Sequence, residues 1–472
     1  MFQFKPPSYY WLNALVLAGF FVSGSIATAQ PKSTTSPVPK PRTNPAITID
    51  TSALGSAETV KHFRNLAKGV GREFSPNDAT DAELKRLGIN RLRCINVDPL
   101  PGSFDAKGDF VMTEPTLLLN HLKTCRKIGA TPHICIAILL HPELKLAEEN
   151  IPEAERGVMG NETKKNEYGP TDWTKFRTYY KRYFKYVLVE QGFRQARFEV
   201  GNEPDTAGIF VPRPPKPPRA SRAAYEAYLE VYRNVAQAAA EFEREHPGYR
   251  ITMGGPAITT FAFKFGELNW AEQFARDCAQ HKLRVDFFGL HLYGNMSSFR
   301  NPKDSLSGLP PLVTMIQTVQ KAIAEHIPGT PLIITEWGPS YTTTDLSTAI
   351  INENHVGAAW CAEFLNTLRL EKIDSALFLL TTDPATRLAD GTIENRRGWP
   401  ALFLNPKSHK HKAYPKPIFH VLDMITKLAG QEIQLGTSHP IGIFASIDKQ
   451  TKRITLMAWN YDAIIPPNAP IT

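Results

Sequence analysis

Cysteine is scarce and unpatterned in this chain of 472 residues, with five in all: Cys94, Cys125, Cys135, Cys278 and Cys361. None form a C-x-x-C pair or a zinc-ligand spacing, so no metal and no cofactor is expected. Cys94 and Cys135 fall in strand-like runs, where a thiol behaves as a small buried hydrophobe. One disulfide in an oxidising compartment stays open. Long apolar runs are also missing: past residue 30, no stretch of about 20 apolar residues suggests a membrane span. No nucleophilic serine or cysteine motif stands out, which argues against the common acyl hydrolases. No nucleic-acid motif accompanies the net charge of +8. What remains is an ordinary globular composition, 42% hydrophobic and 21% charged, which excludes a disordered chain.

The N-terminus reads as a processing signal over residues 1–29. Leu12 to Val22 is apolar, and Ala27-Thr28-Ala29 offers a small-residue cleavage site. The expectation is a secreted or periplasmic protein; the alternative is a membrane anchor. Residues 30–45 are rich in Pro, Ser, Thr and Lys and read as a linker.

From residue 64 onward, strand-like runs alternate with helix-like segments. The strands are expected at 64–70, 91–97, 131–139, 196–203, 251–257, 285–294, 331–338 and 375–382. Helices are expected near 77–88, 115–129, 173–191, 222–246, 269–281, 311–327, 352–371 and 417–429. Eight alternations predict an α/β fold, a (β/α)8 TIM barrel spanning 46–429. Its rival is a doubly wound open sheet. The chain ends differ. Residues 46–50 read as a strand before the barrel, and 432–435, 441–447 and 453–459 as a small accessory β-sheet in residues 430–472.

Two short words stand at the ends of two strand-like runs: Gly201-Asn202-Glu203-Pro204 and Thr335-Glu336-Trp337-Gly338. In such a barrel the active site lies at the C-terminal ends of the strands. A carboxyl pair held there suits glycosidic bond cleavage, one group protonating the leaving oxygen and the other attacking the anomeric carbon. Glu203 and Glu336 are therefore the catalytic candidates, against solvated strand-end residues. His291 and Tyr293 are two apart on one strand and can share the barrel mouth; a core histidine is the alternative for His291. A phenol there could hydrogen-bond a carboxylate. Arg93 would favour the ionised form of a carboxylate beside it, or pair with the deeper Glu199. His141, after the third strand, could reach a sugar hydroxyl or be an ordinary loop residue. Trp337 or Trp399 could offer a sugar an aromatic face or sit in the core.

Here a resemblance enters. Arg197–Asp205 (RFEVGNEPD), Asp286–Gly294 (DFFGLHLYG) and Ile333–Tyr341 (IITEWGPSY) resemble the retaining glycosidases of clan A. The likeness is greatest to glycoside hydrolase family 39, which includes β-xylosidases and α-L-iduronidases, and runs from about residue 60 to 460. It implies Glu203 as acid/base, Glu336 as nucleophile, Asn202 on the sugar 2-hydroxyl and Arg93 beside the nucleophile. Two family tryptophans are absent: Gly201 precedes the Asn-Glu-Pro word, and Leu377–Asp383 (LFLLTTD) lacks the aromatic floor. The accessory sheet looks like a reduced β-sandwich.

The resulting expectation is a retaining glycoside hydrolase acting on a polysaccharide or oligosaccharide. A catalytically silent carbohydrate-binding barrel is the alternative. Two basic stretches, Val211–Arg222 and Asn405–Lys416, follow the fourth and eighth strands. They suggest attraction of an anionic glycan, or else are solvated loops.

Overall fold

The computed structural model describes residues 50–72, 78–95, 99–153, 168–206, 211–264, 268–294, 309–341, 350–387, 393–395, 398–404, 412–435 and 441–461. The chain divides into Met1–Thr48 and Ile49–Thr472, and the described residues all belong to the second unit. The expected signal, linker and most of the first strand (46–50) lie outside them.

Eight parallel strands close into a barrel: β1 Gly69–Arg72, β2 Arg91–Cys94, β3 Thr131–Ile136, β4 Arg197–Val200, β5 Thr252–Ile258, β6 Phe287–Tyr293, β7 Leu332–Gly338 and β8 Ser375–Phe378. Each pairs with its sequence neighbour, and β8 closes on β1 through Val70 and Phe378. The open-sheet rival is therefore set aside. The strands are apolar on both sides because helices cover the outside and side chains fill the inside. Phe287, Ile333 and Leu377 form one such interior layer.

The helices start where polar side chains take up free backbone N–H groups. Asp172, Ser221, Asn269 and Asn354 each cap a helix, beginning Trp173–Phe184, Arg222–Glu245, Trp270–Gln280 and His355–Leu370. The longest, Arg222–Glu245, buries Tyr228, Leu229, Tyr232, Val235 and Phe242 on one face.

The beginning of the barrel differs from expectation. Residues Ala57–Leu66 form a helix capped by Ser56, and the first strand starts only at Gly69. Val60, Phe63 and Leu66 recur at three-residue spacing and face the core. The strand has poor intrinsic propensity because close approach demands glycine. A Cβ on Gly69 would meet the Ala376 carbonyl oxygen at 2.3 Å, and one on Gly71 would meet that of Leu379 at 1.9 Å.

The C-terminal strands Gln431–Ile433, Gly442–Asp448 and Arg453–Trp459 form an antiparallel sheet. Leu54 bridges to Ile433, which ties the start of the described chain to this sheet. Phe444 packs on Phe63 at 4.9 Å between centroids, and the Trp459 indole donates to Glu363. The sheet thus rests on the helices Ala57–Leu66 and His355–Leu370.

All five cysteines are buried and unbridged, as small core residues. No described helix is long and apolar enough to cross a membrane.

Candidate active site

A bulge between β6 and β7 sets the geometry. Leu290 pairs with Ile334, but the next residue, His291, pairs with Glu336, leaving Thr335 over. The extra residue reverses the alternation of β7. Ile333 faces the interior below the bulge, and Glu336 faces it above. Trp337 is thrown to the outside, where it is 1% exposed and packs against Trp360, Phe364 and Phe378. The sugar-facing role entertained for Trp337 is thus corrected: it is a core residue. Trp399 does lie beside the site, packed on Tyr293, Leu379, Leu380 and Ala401.

The other strand stops early. β4 ends at Val200 because Gly201 turns to φ +82°, and Glu203 follows at φ +52°. Holding a glutamate in that left-handed region costs about 1–3 kcal/mol. Fixed hydrogen bonds offset this. The Glu203 N–H donates to Ala257 O at 3.0 Å, and the Glu203 carbonyl accepts from Thr206 N and Oγ1, both at 2.9 Å. Two residues on, the fully buried Asp205 carboxylate accepts from Thr259 N, Thr259 Oγ1 and Ala262 N.

Arg93, on β2 and 0% exposed, joins the two strand ends. Its Nε donates to Glu199 Oε2 at 2.8 Å, and Nη1 donates to Glu336 Oε2 at 2.6 Å. Its Nη2 donates to Asn202 Oδ1 at 2.8 Å and faces His291 Nε2 at 3.2 Å. Four of the five guanidinium hydrogens are thereby used. Both pairings entertained for Arg93 coexist. Burial alone would raise the Glu199 carboxyl, but Arg93 beside it outweighs that and holds it well below the usual carboxylate range.

The guanidinium has no lone pair, so His291 Nε2 must accept. The ring hydrogen then sits on Nδ1 and donates to Glu203 Oε1 at 3.0 Å. Burial opposes a charge on His291, yet the neighbouring Glu336 and the bond to Glu203 hold its pKa above the ordinary 6.5. An imidazolium would turn an N–H against Arg93, so we assign the neutral ring. Tyr293 donates its hydroxyl to Glu336 Oε1. Its pKa is pushed far up, first by burial and then by the Glu336 charge, so the phenol keeps its proton.

Arg93, Asn202, Glu203, His291, Tyr293 and Glu336 are thus brought together. One carboxylate oxygen of Glu203 and one of Glu336 lie within 4.8 Å of each other and of a His291 nitrogen. The same trio could approach a cation, but Arg93 already sits on Glu336 and repels one. The two carboxyls differ in access: the Glu203 side chain is 26% exposed, that of Glu336 11%.

His141 does not join them. It packs edge-on against Phe110 at 5.0 Å, and its Nδ1 accepts from Glu143 N at 3.3 Å, capping a short turn. Burial lowers its pKa. The expected sugar contact is replaced by a packing role. Lys416 is a second correction. It is 3% exposed, with Nζ 2.6 Å from Asp383 Oδ1 and 3.0 Å from Trp399 O, so it is no basic group at the mouth. Asn405–His411 lie outside the described residues, and Arg213 pairs with Glu230 at 2.9 Å.

Four further residues escaped the sequence reading as members of the site. His133 and Cys135 point inward from β3 and stand 3.4 Å from Glu199 Oε2. The period-two pattern of β3 could have flagged them. Asp205 is the third. Tyr341, 48% exposed, meets the Tyr293 ring edge-on at 5.8 Å.

Fold and site together define a (β/α)8 barrel with a carboxylate pair at the C-terminal ends of its fourth and seventh strands. The chain belongs to glycosyl hydrolases family 39, whose model matches residues 173–469. It is 25% identical over 207 residues to a beta-xylosidase of Geobacillus stearothermophilus, covering 42% of this chain and 36% of that protein. The chain thus matches little more than a third of that relative's length. Among solved structures, a monomeric beta-xylosidase from Caulobacter crescentus superposes with a TM-score of 0.60 at 20% identity, over 85% of this chain and 75% of the other. A glucosidase from Croceicoccus marinus gives 0.55 at 16% identity, over 84% and 76%. These likenesses establish the fold.

Proposed function

We propose that the protein is a glycoside hydrolase that cleaves O-glycosidic bonds of an oligosaccharide or polysaccharide with retention at the anomeric carbon. The observation that carries this reading is the oxygen pair of Glu203 and Glu336 within 4.8 Å. An approach that close between single oxygens suits a retaining pair, whose carboxyl groups stand about 5–5.5 Å apart, better than an inverting pair, whose carboxyl groups stand about 6.5–9.5 Å apart to admit water.

Glu336 is the nucleophile. Arg93 and Tyr293 each donate to one of its oxygens and aim it. Glu203, the more exposed carboxyl, meets the leaving group. In its protonated form it gives its proton to the glycosidic oxygen as Glu336 bonds to the anomeric carbon and the C–O bond breaks. Glu203, now a carboxylate, takes a proton from water, whose oxygen displaces Glu336 and returns the starting enzyme. Asn202 is held by Arg93 beside this pair and serves the sugar hydroxyls.

Family membership and the two beta-xylosidase relatives make aryl β-D-xylosides the first probe. A panel of aryl glycosides should reveal turnover by the native chain. Glu336→Ala should lose about four orders of magnitude or more. Azide should rescue it and release a product of inverted configuration. Full turnover by Glu336→Ala would refute the mechanism, and no turnover by the native chain on any glycoside would leave the silent-barrel reading.

The net charge of +8 favours an acidic glycan within this reading. A salt series on anionic and neutral glycans tests it, and equal, salt-insensitive turnover would sink it.

A further inference from the structure

We propose that Asp205 is a positioning residue that sets where Glu203 delivers its proton. This rests on the glycosidase reading above. The turn Pro204–Thr206 follows Glu203 directly, and no regular strand hydrogen bond holds Glu203 beyond Val200. Two clamps take that place. One is the Glu203 N–H on Ala257 O. The other is the Asp205 carboxylate: Oδ1 accepts from Thr259 N at 3.1 Å, and Oδ2 from Thr259 Oγ1 at 2.7 Å and Ala262 N at 3.0 Å.

Both clamps grip the C-terminal end of β5 and the segment that follows it, at Ala257 and at Thr259–Ala262. The Asp205 carbonyl also accepts from Ala220 N at 2.8 Å, and Ala220 O accepts from the Trp270 indole at 3.2 Å. Two separate segments, Thr259–Ala262 and the one carrying Ala220, therefore converge on one 0% exposed aspartate. Burying a carboxylate is costly, and a polar or apolar packing residue would fill this space at less cost. The charge does a job the neutral residue cannot: it accepts from three donors at once. Its removal would free Glu203 to leave the left-handed backbone that aims its side chain at His291 and the leaving group. Asp205 touches neither Glu203's carboxyl nor substrate, so it acts through placement.

The test uses the full chain and a series of aryl β-D-xylosides with leaving-group pKa from about 4 to about 10. Acid catalysis contributes roughly 10²–10⁴-fold and matters most for poor leaving groups. Asp205→Asn should fall about 3-fold or less in kcat/KM at the acidic end and about 30-fold or more at the other. Thr259→Val removes only the hydroxyl donor and should show the same tilt, more weakly; it stands in if Asp205→Asn fails to fold. Circular dichroism checks folding. A loss uniform across the series, or none, would overturn the proposal. Absence of turnover by the native chain on every aryl glycoside would instead overturn the glycosidase reading, and this inference with it.

Discussion

Arg93 performs two tasks that mutation can separate. It neutralises Glu199, at 0% exposure, and it aims Glu336. Arg93→Met removes the guanidinium and leaves Glu199 buried with only Cys135 and the neutral His133 at 3.4 Å. Orphaning one member of a buried ion pair costs about 3–5 kcal/mol. The double variant Arg93→Met/Glu199→Leu replaces both charges by apolar groups of similar volume. Such replacements are often neutral or stabilising, so the double variant should return to within about 1–2 kcal/mol of the native chain. Activity should not return. Glu336 loses its 2.6 Å bond and Asn202 its 2.8 Å bond in both variants. Bonds to charged groups are worth about 1.5–3 kcal/mol each, so kcat/KM should stay down by roughly 10²-fold or more. Chemical denaturation followed by tryptophan fluorescence, with aryl xyloside turnover, reads both quantities. A double variant as unstable as Arg93→Met, or one that regains activity, would refute this division.

Other predictions follow the same contacts. Tyr293→Phe deletes one donor to Glu336 and should lower kcat by about 10- to 150-fold with little loss of stability, checked by kinetics and thermal melting. Tyr341→Ala should raise KM for xylo-oligosaccharides by about 10-fold while leaving small aryl xylosides unchanged, and Tyr341→Phe should behave as native; this follows from an exposed ring beside Tyr293. Asp383 is pushed up to about 6 by burial, against the pull of Lys416, from an ordinary 3.8. The folded state then binds more protons than the unfolded state between those values. Stability should therefore be greatest below about pH 4 from this group and fall by about 2–3 kcal/mol as pH rises through 6. Asp383→Asn should flatten that slope in melts taken from pH 4 to 7.

Much of this architecture was legible in the chain because parallel barrel strands are buried on both faces. Each appears as a short apolar run, and capped helices separate them. β1 was not legible, since Gly69 and Gly71 are needed for close approach to β8 and to Leu379 just beyond it, and not for strand propensity. The glutamate words pointed to two strand ends, and Arg93, His291 and Tyr293 were nameable from position. What the words could not convey was register. The surplus Thr335 decides that Glu336 faces inward and Trp337 outward, and it exists only in the pairing of β6 with β7. His141 and Lys416 were misread for a related reason. A histidine or lysine in a loop looks solvated until a distant partner, Phe110 or Asp383, is folded against it. Asp205 was hidden too, because its donors come from Thr259 and Ala262, more than fifty residues away.

Trapping the covalent intermediate would identify the nucleophile itself. The native chain would be treated with 2,4-dinitrophenyl 2-deoxy-2-fluoro-β-D-xyloside, digested, and mapped by mass spectrometry. The expected result is one fluoroxylosyl adduct, carried by Glu336. An active enzyme that forms no adduct, or carries it on any other residue, would contradict it.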